Sequence, residues 1–282
     1  MTSSSSPGIS LKQEGISYIV GAELPCVIVN MVRGGPGLGS IQPAQSDYYQ
    51  ATRGGGHGDY RMIVYAPASI QEAVELTQKA FDSADRYRNP VMILGDGCIG
   101  QMMEPVAMPE YHKPADLGEK TWAATGYKEG CGRERNIINS LYIEPDRCEQ
   151  HNLDLQAKYD AMKEKEVLVK EEMTEDADII VVAYGTTARI ALTAVRKARE
   201  NGIKAGLIRP ITVWPFPEKA IAAAAQRCKA FLTVEMSLGQ MVDDVRLAVN
   251  GAKPVTFFGH TGGIIPGVSE IYQQIVNIKE GL

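Results

Sequence analysis

The tightest constraint on this chain is the run Cys26-Val27-Ile28-Val29-Asn30-Met31-Val32, which ends in Arg33 and breaks at once into Gly34-Gly35-Pro36-Gly37-Leu38-Gly39-Ser40. A short run rich in β-branched residues and closed by glycines reads as a buried strand whose chain turns tightly at its carboxyl end. In open α/β sheets that end is where ligands sit. A guanidinium placed there offers a planar fork to a carboxylate or a phosphate, or else forms a surface or interface ion pair. Local sequence leaves both readings of Arg33 open.

The same rhythm continues along the chain. Residues 10–24 carry Leu11, Ile16, Tyr18, Ile19 and Ala22 at loosely helical spacing. Ser69 and Glu72 have the spacing of a capping box, and Ile70, Ala73, Val74, Thr77, Ala80, Phe81 and Ala84 form one helical stripe. A buried strand over 91–94 follows, closed by Gly95-Asp96-Gly97. Periodicity fades over 100–148, with one apolar piece near 137–143, so this stretch reads as a long ordered connection. Residues 149–175 hold Glu, Lys and Gln but no glycine or proline, the composition of a solvated helical linker.

Strands then read at 178–183, 203–208, 231–234 and 255–258, alternating with helices near 188–201, 218–227 and 238–249 and from about 268. Gly185-Thr186-Thr187 reads as a turn with a helix cap, and Pro217 as the first residue of its helix. Strands that alternate with helices imply a mainly parallel sheet covered on both faces. With 282 residues, and roughly 150 per domain, two domains are expected.

Composition narrows the function. A hydrophobic share of 44% with 22% charged residues suits real cores, and a net charge of -5 argues against a nucleic-acid surface. The five cysteines are odd in number and include no C-x-x-C pair, so neither a disulfide framework nor a zinc or iron–sulfur motif is readable; the reducing cytoplasm fits. No apolar stretch reaches the roughly 18 residues of a membrane span. The serine-rich start, Met1 to Gly8, reads as a tail or as a loop inside a domain.

The glycine loops do not spell a nucleotide motif. Residues 34–39 fail the G-x-G-x-x-G spacing and lack a P-loop lysine, and the 54–59 loop with His57 and Asp59 has no strong helix after it. Leu94-Gly95-Asp96-Gly97 resembles the first half of a magnesium-diphosphate motif. Its asparagine pair is missing downstream, so it reads as a turn. His57 and His260 sit among glycines, at no metal-ligand spacing.

Several blocks in order carry a resemblance. They are Thr2-Ser3-Ser4-Ser5-Ser6-Pro7-Gly8-Ile9-Ser10-Leu11, the Arg33–Gly39 loop with Gln45-Ser46-Asp47, His57-Gly58-Asp59-Tyr60, Arg209-Pro210 with Trp214-Pro215-Phe216-Pro217, and Glu235-Met236-Ser237-Leu238-Gly239-Gln240. On these, essentially the whole chain resembles the alpha subunit of the 2-oxoacid:ferredoxin oxidoreductases, thiamine-diphosphate enzymes. The resemblance implies an α/β fold of two transketolase-like parallel-sheet domains. Residues 1–148 would be a pyrimidine-binding domain lacking its first strand, 149–175 the helical linker, and 176–282 a transketolase C-terminal-like domain.

The implied reaction is oxidative decarboxylation of a 2-oxoacid with coenzyme A, giving acyl-CoA, carbon dioxide and reduced ferredoxin. The Arg-Gly-Gly-Pro-Gly-Leu-Gly variant resembles the branched-chain type acting on 3-methyl-2-oxobutanoate. The alternatives are a 2-oxoglutarate type and a non-catalytic scaffold in which Arg33 is an interface ion pair. By resemblance Arg33 faces the substrate carboxylate, Ser6, Pro7 and Gly8 lie near the cofactor's pyrimidine ring, and Gly37, Gln45, Asp47, His57 and Asp59 are loop or interface positions. The family's catalytic glutamate lies upstream of the position matching Met1, which implies a shortened chain without catalytic or metal-binding residues, inactive alone. Thiamine diphosphate and magnesium would be held jointly with a beta subunit, and iron–sulfur clusters by a ferredoxin-like subunit, with a gamma subunit completing the complex.

Overall fold

The structure, a computed structural model, describes residues 1–111, 114 and 117–282. The first half runs β1 (Thr2–Ser4), α1 (Pro7–Ser10), α2 (Gln13–Gly21), β2 (Cys26–Val32), α3 (Tyr48–Arg53), β3 (Ile63–Tyr65), α4 (Ile70–Tyr87), β4 (Pro90–Asp96) and α5 (Gly97–Gln101). After a stretch without regular structure come α6 (Pro145–Lys165), β5 (Val169–Glu172), β6 (Ile179–Val182), α7 (Gly185–Glu200), β7 (Ala205–Pro210) and β8 (Thr212–Trp214). The chain ends with α8 (Glu218–Ala225), β9 (Ala230–Glu235), α9 (Met241–Val249), β10 (Val255–Gly259) and α10 (Val268–Glu280). Among the described residues no helix is long and apolar enough to cross a membrane.

Two five-stranded sheets result, ordered β1-β2-β4-β3-β8 and β10-β9-β6-β7-β5. Each is parallel except for one antiparallel edge strand, β8 in the first and β5 in the second. The central strands carry continuous apolar runs because both faces are covered; every residue of β4 is buried. One core cluster reaches across both sheets, from Ile28 and Met92 to Ile208 and Phe231. A second gathers Ile179, Val181, Val195 and Leu207 under α7 and α10.

The halves are interlocked rather than strung on a linker. Strand β8 follows β7 after the single residue Ile211, yet pairs with β3 in the other sheet. At the crossing point Ala66 N–H donates to Ile211 O at 2.7 Å, and Ile211 N–H donates to Leu168 O at 2.9 Å. The expected linker helix over 149–175 is instead α6 followed by β5, and α6 buries Leu155, Tyr159 and Met162 in the shared core. Its many charges hid that narrow apolar stripe.

Other local expectations shift for identifiable reasons. Residues 2–4, read as a tail or loop, are a strand in register with β2. The buried face of α4 is Leu76, Ala80, Ser83 and Ala84, with Phe81 46% exposed. A serine at a core position, bonded to the Tyr65 hydroxyl at 3.1 Å, disguised the stripe. Only half of the capping box forms: Ser69 Oγ accepts from Glu72 N–H at 3.1 Å. The Glu72 carboxylate is drawn away by stronger donors. It accepts from Ala68 N–H at 2.7 Å and from both Arg209 guanidinium nitrogens at 2.7 Å each.

That fork joins the first turn of α4 to β7, and Arg209 is buried. Burial alone pushes the Glu72 carboxyl pKa upward, but the Arg209 fork and the Ala68 amide outweigh it and leave it below the usual value. A carboxylate with a depressed folded-state pKa stabilises the fold above its unfolded pKa of about 4.3, and that contribution is lost as pH falls through the folded value. Glu72→Gln should therefore cost about 3 kcal/mol at pH 7, because it leaves Arg209 buried without its counter-charge. Urea denaturation across pH checks this. The gap between parent and variant should close at acid pH, and equal midpoints at pH 7 would show that the fork is not an anchor.

Candidate functional site

Strands β1, β2 and β4 are parallel, with Ser4 level with Asn30 and Val32 level with Asp96. Their carboxyl ends therefore emerge on one edge, which carries the Ser6–Gly8 segment, the loop after Arg33 and the start of α5. Asn30, a polar residue at the middle of the apolar run, organises this edge. Fully buried, it accepts the Ser6 N–H at 3.0 Å and donates to the Asp47 carboxylate at 3.0 Å. Ser6 takes a positive φ of 30° to reach it. Its hydroxyl then clips Arg33, accepting from the Arg33 N–H at 3.1 Å. Pro7 and Gly8 open α1 directly beyond this clip.

The loop after Arg33 is pinched at its base. Gly34 N–H donates to Gln42 O at 3.0 Å, and Ser40 N–H donates to Gly34 O at 2.7 Å. Gly39 has φ +58°, and a Cβ there would lie 1.9 Å from Gly34 O, so only glycine closes the loop. Gly37 and Leu38 stand at the exposed tip. Beside it lies the loop after β10, where Gly262 abuts Gly34. Leu38, Ile41, Leu238 and Ile264 are all well exposed, an apolar collar on this side of the molecule.

Within that setting Arg33 is half-buried and under-used. One terminal nitrogen donates to Leu38 O at 3.3 Å, while Nε is buried without a hydrogen-bond partner. Among the described residues no carboxylate lies within ion-pair distance of it, whereas Arg53, Arg189, Arg199 and Arg209 each hold one. A buried donor left unpaired costs about 1–3 kcal/mol, and the guanidinium carries a charge with no counter-ion among the described residues.

Gln45, on the loop between β2 and α3, is buried inside this chain. The second sheet changes direction of winding between β6 and β9, the crevice where α/β sheets bind ligands. Gln45 fills it. Its Nε2 donates to Tyr184 O at 2.9 Å, and its Oε1 accepts from Met236 N–H at 2.9 Å and lies 3.1 Å from the Thr187 hydroxyl. Asp96 is likewise structural. It caps α5 through Cys98 and Ile99 N–H and accepts the Thr186 hydroxyl at 2.9 Å. The threonines expected to cap α7 thus serve the contact between the sheets, and Tyr184 occupies the cap position.

The remaining candidates lie elsewhere. His57 and Asp59 are exposed on a loop whose Gly55 and Gly56 press against Gln13 and Ser17 of α2. His260 bonds Glu270 at 3.1 Å. Among the described residues no three carboxylate, imidazole or thiol groups gather as a metal site requires. Two features escaped sequence reasoning. Asn30 was signalled by its polarity inside an apolar run. Glu235, fully buried and accepting from Gln240, Met241 and Val242 N–H, stood only within a block of the resemblance; nothing local marked its role, since its partners are the backbone at the start of the following helix.

Residues 1–173 match the family model described as pyruvate flavodoxin/ferredoxin oxidoreductase, thiamine diphosphate-binding, and residues 177–271 match pyruvate:ferredoxin oxidoreductase core domain II. The chain belongs to the 2-oxoacid:ferredoxin oxidoreductases. It is similar to the ketoisovalerate oxidoreductase subunit VorB of Methanothermobacter marburgensis, 48% identical over 99% of this chain and 78% of that one. VorB of Methanothermobacter thermautotrophicus is 46% identical, over 98% and 77%. The 2-oxoglutarate synthase subunit KorA of the latter organism is 36% identical, over 99% and 80%. In fold it is similar to the 2-oxoglutarate:ferredoxin oxidoreductase of Magnetococcus marinus, with TM-score 0.81 and 22% identity over 98% of this chain and 52% of that one.

This oxidoreductase subunit thus carries a plugged crevice in its second sheet and an open cationic edge in its first. Gln45→Ala should cost about 2 kcal/mol, since it strands the buried Met236 amide, whereas the Tyr184 carbonyl keeps the Thr187 hydroxyl and the Ala188 N–H. Hydrogen exchange at Met236 reports it directly: faster exchange with a lowered melting temperature is expected, and unchanged exchange would mean that water replaces the amide.

Proposed function

We propose that this chain supplies the carboxylate-gripping wall of a thiamine-diphosphate site that oxidises 3-methyl-2-oxobutanoate to its acyl-CoA, with release of carbon dioxide and reduction of ferredoxin. The observation that carries the reading is the unpaired Arg33 guanidinium at the carboxyl end of β2. Thiamine diphosphate, when bound, supplies the electron sink for decarboxylation. The residues present fit such a wall, since Ser6, Pro7 and Gly8 are held beside Arg33 by the Ser6 clip.

Arg33 binds and orients. Its planar fork fixes the carboxylate, and with it the direction of the bond that breaks. The grip weakens as carbon dioxide forms, so Arg33 acts on substrate binding more than on turnover. The branched-chain acid is favoured by the two relatives named ketoisovalerate oxidoreductase subunits. The setting agrees: Leu38 and a glycine loop adjoin Arg33, which suits an acid with one carboxylate and an aliphatic tail. We assign the magnesium and the diphosphate to a beta subunit covering the apolar collar, and the iron–sulfur clusters to a ferredoxin-like subunit beside a gamma subunit, all in the cytoplasm.

In the reconstituted complex Arg33→Ala should raise KM for 3-methyl-2-oxobutanoate about a hundredfold, the loss of a charge-assisted fork, with assembly unchanged by sedimentation. Loss of assembly with unaltered KM in whatever complex remains would favour a scaffold role. Leu38→Asp should do the opposite, blocking assembly by placing a charge in the collar while the isolated chain keeps its melting temperature. Full assembly of that variant would move the interface elsewhere.

A further inference from the structure

At the β8 edge of the first sheet, the far side from β1, two cavities share Arg61 and Lys163 as lining residues. The larger, about 690 Å³, has an apolar wall of Val169, Val213, Trp214, Phe216 and Leu247. The smaller, about 340 Å³, runs along α6 past Asn152, Gln156 and Tyr159. Pockets of this size at the junction of two units suit small molecules. Neither cavity includes Arg33 or the Ser6–Gly8 segment, so this place is separate from the site above.

The polar groups around the shared wall are unequally used. Arg53 is paired with Asp244 at 2.9 Å and Lys219 with Glu164 at 2.8 Å. Among the described residues the Arg61 side chain donates only to its neighbour's carbonyl, Tyr60 O at 2.8 Å, and no carboxylate lies within ion-pair distance of it. Lys163 holds Asp160 at 3.1 Å, an exposed pair one helical turn apart and therefore weak. Tyr159 is 1% exposed, and burial pushes its hydroxyl pKa up to about 12, so it forms a neutral floor beneath the two cations.

The chemistry this wall asks for is narrow. A bare anion would leave Trp214 and Phe216 uncovered, and an apolar molecule would leave the Arg61 guanidinium without a counter-charge. A polyanion would meet Asp59 and Glu149 in the smaller cavity and Glu218 in the larger. We propose that this groove binds an amphipathic monocarboxylate, its acid end on Arg61 and Lys163 and its apolar body along Val213, Trp214 and Phe216.

The chain has two tryptophans, so Trp122→Phe leaves Trp214 as the single reporter. In that background octanoate, octan-1-ol and inorganic phosphate are titrated separately while tryptophan emission is followed. Octanoate should give a saturable change, with the alcohol and phosphate silent at the same concentrations. Arg61→Gln should weaken octanoate about tenfold, the loss of one charge-assisted hydrogen bond. If that variant melts early, Lys163→Gln, on a half-exposed side chain, must weaken it instead. Absence of saturation overturns the proposal, as does an equal response to octan-1-ol, an equal response to phosphate (an adventitious ion only), or a well-folded Arg61→Gln with unchanged affinity. None of these outcomes involves Arg33 or catalysis.

Discussion

The architecture depends on buried polar contacts that hold one sheet against the other. Gln45 closes the winding crevice of the second sheet, Asp96 takes the Thr186 hydroxyl, and Arg209 forks onto Glu72. Such groups are costly to bury alone and stabilising only when every partner is in place. They therefore select one relative placement of the two sheets, where apolar contact alone would tolerate sliding. The strand exchange at Ile211 makes the same placement covalently unavoidable.

That fixed placement explains why only one of two similar edges is open. Both sheets present parallel strand ends of the kind that hold ligands in α/β proteins. In the second, the crevice is occupied by a side chain of the first half, so its binding potential is spent internally. In the first, Asp96 closes the end of β4 against Thr186, while at the end of β2 the pinched glycine loop touches the Arg33 guanidinium only through the Leu38 carbonyl. A cation left unsatisfied beside a collar of exposed leucine and isoleucine is poorly suited to a finished surface. It suits a pocket whose other wall belongs to a second protein.

Legibility in the sequence followed the range of each interaction. The strands β2, β4, β6, β7, β9 and β10 were readable because apolar runs between turn residues report burial directly. The short strands β1, β3, β5 and β8 were not: three residues, or four that are mostly charged as in β5, carry too little apolar pattern, and each exists because a neighbour offers a ladder. Helix α4 was found, but its buried face was misplaced through Ser83. Glu72 looked like a local cap and proved to be half of an ion pair 137 residues apart in the chain.

The sequence by itself determined the alternation of strands and helices, the glycine loop that only glycine can close, and the arginine at the end of β2. These depend on neighbours along the chain, through backbone sterics and the burial period of each element. Only the tertiary structure decided that Gln45 and Asp96 are internal fasteners, that His57 and Asp59 are exposed, and that Arg33 has no counter-ion among the described residues. Whether a polar side chain is satisfied depends on distant groups brought within about 3 Å, which no local pattern encodes.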